Sequence, residues 1–111
     1  MLNRFQYTIC IPGAMAGAFA SRFVVPSDCS LVHISAYCIT QDSAIIIGST
    51  SDTNLYLESQ TITAGTALEI ERTDFVDDVF PHFENGDTVV ITLDNGSGAV
   101  DMTCVLTFTE G

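Results

Sequence analysis

The stretch that most constrains this chain is residues 86–108, GDTVVITLDNGSGAVDMTCVLTF. Val89, Ile91 and Leu93 alternate with Thr88, Val90 and Thr92. After Asn95-Gly96-Ser97-Gly98 the alternation resumes, with Val100, Met102, Cys104, Leu106 and Phe108 set against Asp101, Thr103, Val105 and Thr107. Apolar residues at every second position put their side chains on one face of an extended strand. Asn-Gly in the break is turn chemistry. The stretch predicts an antiparallel hairpin with one buried face, which needs a second layer to cover it. Its other face is rich in threonine but also carries Val90 and Val105. That mixture predicts a hairpin central in its sheet, with Thr92, Thr103 and Val105 on a side partly covered by a neighbouring subunit.

The rest of the chain repeats the pattern of short strands and turns. Residues 3–11, NRFQYTICI, set Phe5, Tyr7 and Ile9 against Gln6, Thr8 and Cys10, and Pro12-Gly13 ends the run. Phe19 to Val25 reads as a second strand closed by Pro26, which has no N–H to give a ladder. Ser30 to Thr40 is a long strand. Its Val32, Ile34, Ala36 and Cys38 are uniformly apolar and are the expected core side. The opposite side, with Leu31, His33, Tyr37 and Ile39, is too apolar for open water. It fits a second buried face and an oligomer interface equally well. Ala44 to Ile47 reads as a central strand, and Leu55 to Ile62 and Ala67 to Arg72 as further short ones. In TDFVDDVFPHF the spacing of Phe75, Val76, Val79 and Phe80 fits one or two helical turns near residues 74–80, capped by Thr73 or Asp74 and stopped by Pro81. Seven or eight short strands with regular turns predict an all-β fold, a single antiparallel β-sandwich of jelly-roll type spanning residues 1–111. The terminal strand, 1–12, suits docking on a neighbouring subunit through Phe5, Tyr7 and Ile9.

Charge narrows the partners. The 111 residues carry 14 Asp and Glu against 3 Arg and no Lys, a formal net charge of −11. Phosphate binding depends on Lys and Arg, so nucleic acid and anionic membranes are not expected partners. No apolar run approaches the roughly 20 residues that span a bilayer. Gln6, Tyr7, Thr8 and Pro12 interrupt what would be the apolar core of a signal peptide. The four cysteines, Cys10, Cys29, Cys38 and Cys104, have no CxxC spacing. Free thiols are expected, with a Cys29–Cys38 bridge as the competing arrangement.

Motifs for catalysis are missing from the sequence. His33 lies mid-strand and His82 follows a proline, and no nucleophile elbow, HExxH or phosphate loop is present. No catalytic residue and no cofactor is expected. Asp74, Asp77 and Asp78, and the Ser49–Asn54 loop, offer hard oxygens of the kind Ca²⁺ takes, but neither matches a calcium loop. Solvated acids and turn caps account for them, so no metal is expected.

From about Phe23 to the end the chain resembles a group of tailed-phage virion proteins. The residues that carry the resemblance are FVVPSDCSLVHISAYC, the apolar IIIG, NLYL, TITAGTALEIERTDF, FENGDTVVITLDNG and the closing VLTFTEG. The opening has the form aromatic-x-x-Pro, then Cys-x-Leu-x-x-Ile-Ser-Ala, and the close runs from Gly-Asp-Thr to Leu-Thr-Phe. The resemblance is to capsid decoration, or cement, proteins. It implies a small β-sandwich on the virion surface, made in the host cytoplasm, bridging copies of a major capsid protein and assembling as a homo-oligomer, with a trimer favoured. It implies no catalytic residues. The alternative is a fibre or spike module that binds a host cell-surface glycan, which calls for an exposed aromatic platform or a calcium-bridged sugar site. Residues expected at a subunit or capsid interface are Phe5, Tyr7, Ile9, His33, Tyr37, Thr92, Thr103 and Val105.

Overall fold

The computed structural model describes residues 3–95 and 98–110. Its strands are β1 (Arg4–Ala14), β2 (Phe19–Val24), β3 (Cys29–Ile39), β4 (Ser43–Gly48), β5 (Leu57–Ile62), β6 (Leu68–Ile70), β7 (His82–Phe83), β8 (Thr88–Asn95) and β9 (Val100–Glu110). One sheet has the order β1-β9-β3-β6, with the short β7 also on β3; the other has the order β2-β8-β4-β5. Every pairing is antiparallel. The chain crosses between sheets at every connection except β4 to β5 and β6 to β7. This is the double wrap of a jelly roll, as the sequence predicts.

The expected C-terminal hairpin does not form. β8 pairs with β2 and β4, whereas β9 pairs with β1 and β3. The two strands face one another across the core instead of lying side by side. The Asn95–Gly98 break that joins them lies partly outside the described residues. The alternation itself holds: Val89, Ile91 and Leu93 are buried from one sheet, and Met102, Cys104, Leu106 and Phe108 from the other. Period-two apolarity says which side of a strand is buried, but not which strand lies beside it. Both strands are central in their own sheets.

Local departures from regular pairing move side chains between faces. In β3 the register with β9 shifts between Leu31 and His33. An extra residue at this bulge reverses the faces that follow it. Leu31 is therefore core and Val32 only half-buried, while Ile34, Ala36 and Cys38 are core as expected. Pro12-Gly13 does not end β1. The strand continues to Ala14 through a register shift, where Gly13 has φ +75° and donates its N–H to Asp101 Oδ1 (2.9 Å).

The helical segment is two single 3₁₀ turns, Arg72–Asp74 and Val76–Asp78. Asp77 and Asp78 both have positive φ, 62° and 56°, which a continuous α-helix does not allow. Neither Thr73 nor Asp74 starts the first turn as a cap. It follows Glu71, whose N–H donates to the Asp74 carboxylate at 2.8 Å. Phe75 turns inward from this segment and is buried. The aromatic part of the core runs through Phe5, Phe108, Phe83 and Tyr56, with ring centroids 5.0, 6.2 and 4.9 Å apart in succession.

Candidate functional site

Two surfaces present chemistry to the outside. The first is the flat outer side of the β1-β9-β3-β6 sheet. Cross-strand register lines its residues up in rows: Cys10, Thr103 and Tyr37; Thr8, Val105, Ser35 and Glu69; Gln6, Thr107 and His33. Polar groups on it pair with one another. Gln6 Nε2 donates to Thr107 Oγ1 at 3.3 Å, His33 Nε2 lies 2.6 Å from Glu69 Oε2, and Ser35 Oγ donates to Glu69 Oε1 at 3.4 Å. Ser35 and His33 thus both bond the carboxylate. A nucleophile–base relay requires the base to touch the nucleophile, and here it does not. Tyr37 and Ile39 are the large apolar groups exposed on this strand.

The predicted interface residues therefore divide. His33, Tyr37, Thr103 and Val105 gather on this flat side. Thr92 lies in the opposite sheet, in register with Ala20 and Ile46. Phe5, Tyr7 and Ile9 point into the sandwich. Ile9 is buried, Phe5 stacks on Phe108, and Tyr7 stacks on Phe23 at 4.4 Å with its hydroxyl 2.7 Å from Ser21 Oγ. The apolar side of β1 is thus covered by its own chain, not left open for a neighbour to dock on.

The second surface is a groove of about 360 Å³ at one end of the sandwich. Leu55 and Tyr56, from the loop before β5, form one wall. Val76, Val79 and Phe80, from the segment before β7, form the other. A backbone bond joins the walls, with Val76 N–H donating to the Tyr56 carbonyl at 3.0 Å, and Tyr56 N–H donates to the Ile47 carbonyl of β4 at 3.0 Å. The loop after β4 can come down on its sheet because residue 48 is glycine. A Cβ there would overlap the Asp52 carbonyl oxygen and the Thr53 backbone. Burial first, then the nearby Asp87 charge, pushes the Tyr56 phenol above its usual range. A second cleft of about 380 Å³, lined by Glu58, Gln60, Thr73 and Asp74, adjoins the groove at Val76 and Asp77.

Sequence reasoning missed this groove. Its signal was present in Val79 and Phe80, which a helix would have turned inward beside Phe75 but which 3₁₀ turns leave outside. Among the described residues no three His, Cys, Asp or Glu side chains converge as a metal site, so Asp74, Asp77 and Asp78 do not form a cluster.

All four cysteines are free; Cys29, Cys38 and Cys104 are buried and Cys10 is exposed. Cys29 and Cys38 lie at opposite ends of β3, roughly 30 Å apart at the rise of an extended strand, which no disulfide spans. Burial pushes all three buried thiols up, Cys104 to about 12. No helix is long and apolar enough to cross a membrane among the described residues.

No family model matches the sequence, and no curated protein matches it. Among solved structures, a chain of "Cyanophage Pam1 capsid asymmetric unit" is similar in structure, with a TM-score of 0.48 and 12% sequence identity over 99% of this chain and 85% of that one.

Proposed function

We propose that this protein is a non-enzymatic structural subunit of a phage virion, one that decorates the outside of the capsid and bridges neighbouring capsomers. The observation that carries the reading is the grouping of Leu55, Val79 and Phe80, large apolar side chains held exposed on a backbone-braced end of a jelly roll. Apolar groups fixed together in solvent mark a contact surface. The sequence phrases that resemble decoration proteins point the same way. In this reading the flat side with His33, Tyr37, Thr103 and Val105 forms the contacts of a homotrimer. The apolar end meets the shell, and many weak sites add up over a lattice.

The test is light scattering on the purified protein combined with co-sedimentation on expanded shells. Three copies in solution and saturable shell binding are expected; a monomer that leaves shells bare overturns the reading. A fibre or spike module for a cell-surface glycan is the second reading, favoured by the exposed Tyr37 ring on the same side of β3 as His33. Hits on a glycan array, in a protein that ignores shells, would select it.

A further inference from the structure

Leu55, Val79 and Phe80 are 42%, 56% and 39% exposed and border one concavity. Apolar residues scattered singly over a surface need no explanation, but three around one groove do. Carboxylates stand at its lip. Asp77 lines both the groove and the adjoining cleft, where Glu58 and Asp74 lie. The lip is fixed. Asp77 and Asp78 hold left-handed backbone, which is costly for residues with a Cβ. Asp78 N–H donates to the Phe75 carbonyl at 3.0 Å, and the buried Phe75 ring packs 6.2 Å from Phe80.

The surrounding charge selects the occupant. Residues 52–82 hold seven carboxylates and one arginine, in a chain of net charge −11. A second copy of this chain would bring the same sign of charge to the lip and be repelled. A segment carrying Lys or Arg is attracted, and its apolar neighbours can seat in the groove.

We propose that this groove binds an extended basic segment of a partner protein. One apolar side chain packs between Leu55, Val79 and Phe80. A Lys or Arg within about three residues of it, at the roughly 3.3 Å per residue of an extended chain, reaches Asp77 and the Glu58–Asp74 cleft. The inference deepens the decoration reading and rests on it for the partner's identity, a surface segment of the shell protein.

The test uses the intact protein with two probes, expanded shells and a displayed random-peptide library. Wild-type protein is expected to bind shells and to enrich peptides that pair an apolar residue with Lys or Arg within three positions. The double variant Leu55→Glu/Val79→Glu loses both by at least tenfold while its melting curve and circular dichroism stay those of wild type. Glu58→Gln/Asp77→Asn weakens both about threefold and flattens their dependence on salt. Shell binding that is unchanged in both variants overturns the groove and leaves decoration standing. Failure of wild type to bind shells overturns decoration, and the library still decides the groove. Basic–apolar peptides displaced by Leu55→Glu/Val79→Glu support it. Acidic or uncharged peptides, or no enrichment, overturn it.

Discussion

The flat side of the β1-β9-β3-β6 sheet and the loop-built end of the sandwich both show apolar side chains to solvent, but they are built differently. On the flat side Tyr37 and Val105 sit among paired polar groups, Gln6 with Thr107 and His33 and Ser35 with Glu69. At the loop end Leu55, Val79 and Phe80 share one groove, and the carboxylates stand at its rim. A surface whose hydrogen bonds run within the sheet can tolerate water or a like surface. A surface of grouped apolar side chains gains from being covered by something else. In the proposed reading, copies of this chain meet at the flat side and a different partner meets the end.

Both surfaces rest on one aromatic core, so the largest effect should strike them together. Phe108 stacks under β1 and touches Phe83, which in turn supports Tyr56 in the groove wall. Phe108→Ala is expected to cost about 4 kcal/mol by chemical denaturation, with shell binding and self-association lost in parallel. If one survives intact, the two surfaces do not share a support. Gly48→Ala separates them. Its Cβ meets the Asp52–Thr53 backbone, an overpacking cost of about 2 kcal/mol. Groove binding should drop while trimer formation persists; unchanged stability and binding would mean that the loop is not seated as described.

The thiols report on the flat side and on the core beneath it. Cys104, inside, has its thiol raised from 9.0 to about 12 by burial. The folded state therefore keeps its proton where the unfolded chain has lost it. Stability should be full below pH 9 and decline as pH climbs toward 12, by at most about 1.4 kcal/mol per pH unit from this group. A flat denaturation profile across that window would contradict the burial of Cys104. Cys10, in register with Thr103 on the exposed side, should be the one thiol that reacts quickly with a disulfide reagent in monomeric protein, and the oligomer should protect it. Equal reactivity in monomer and oligomer would move the copy contact elsewhere. The smallest effect belongs to His33→Ala. Both partners of the His33–Glu69 pair are about half exposed, and such pairs contribute at most about 1 kcal/mol. A melting temperature lowered by many degrees would show that the pair does more than sit on the surface.

Much of the architecture was legible in residue order. Alternation in residues 88–93 and 100–108 identified the buried sides of two central strands, and turn residues marked most strand ends. Pro12-Gly13 misled because a glycine with positive φ lets a strand bulge and continue. Val32 misled because one extra residue in β3 reverses side-chain direction, and nothing local in Leu-Val-His announces it. Of the expected interface, His33, Tyr37, Thr103 and Val105 share a surface, since each lies opposite a correctly read core position. For Phe5, Tyr7 and Ile9 the sequence leaves a buried face and a docking surface open, because a single strand does not show whether its own chain covers it.

The sequence by itself determined that the chain is all-β, which side of most strands is apolar, and a net charge of −11, because these depend on composition and on the two-residue repeat of a strand. Only the tertiary structure decided that β8 and β9 lie in opposite sheets, that Asp77 and Asp78 turn left-handed, and that Leu55 meets Val79 and Phe80 in one groove. Strand neighbours and loop contacts depend on residues distant in sequence, and no local period records them.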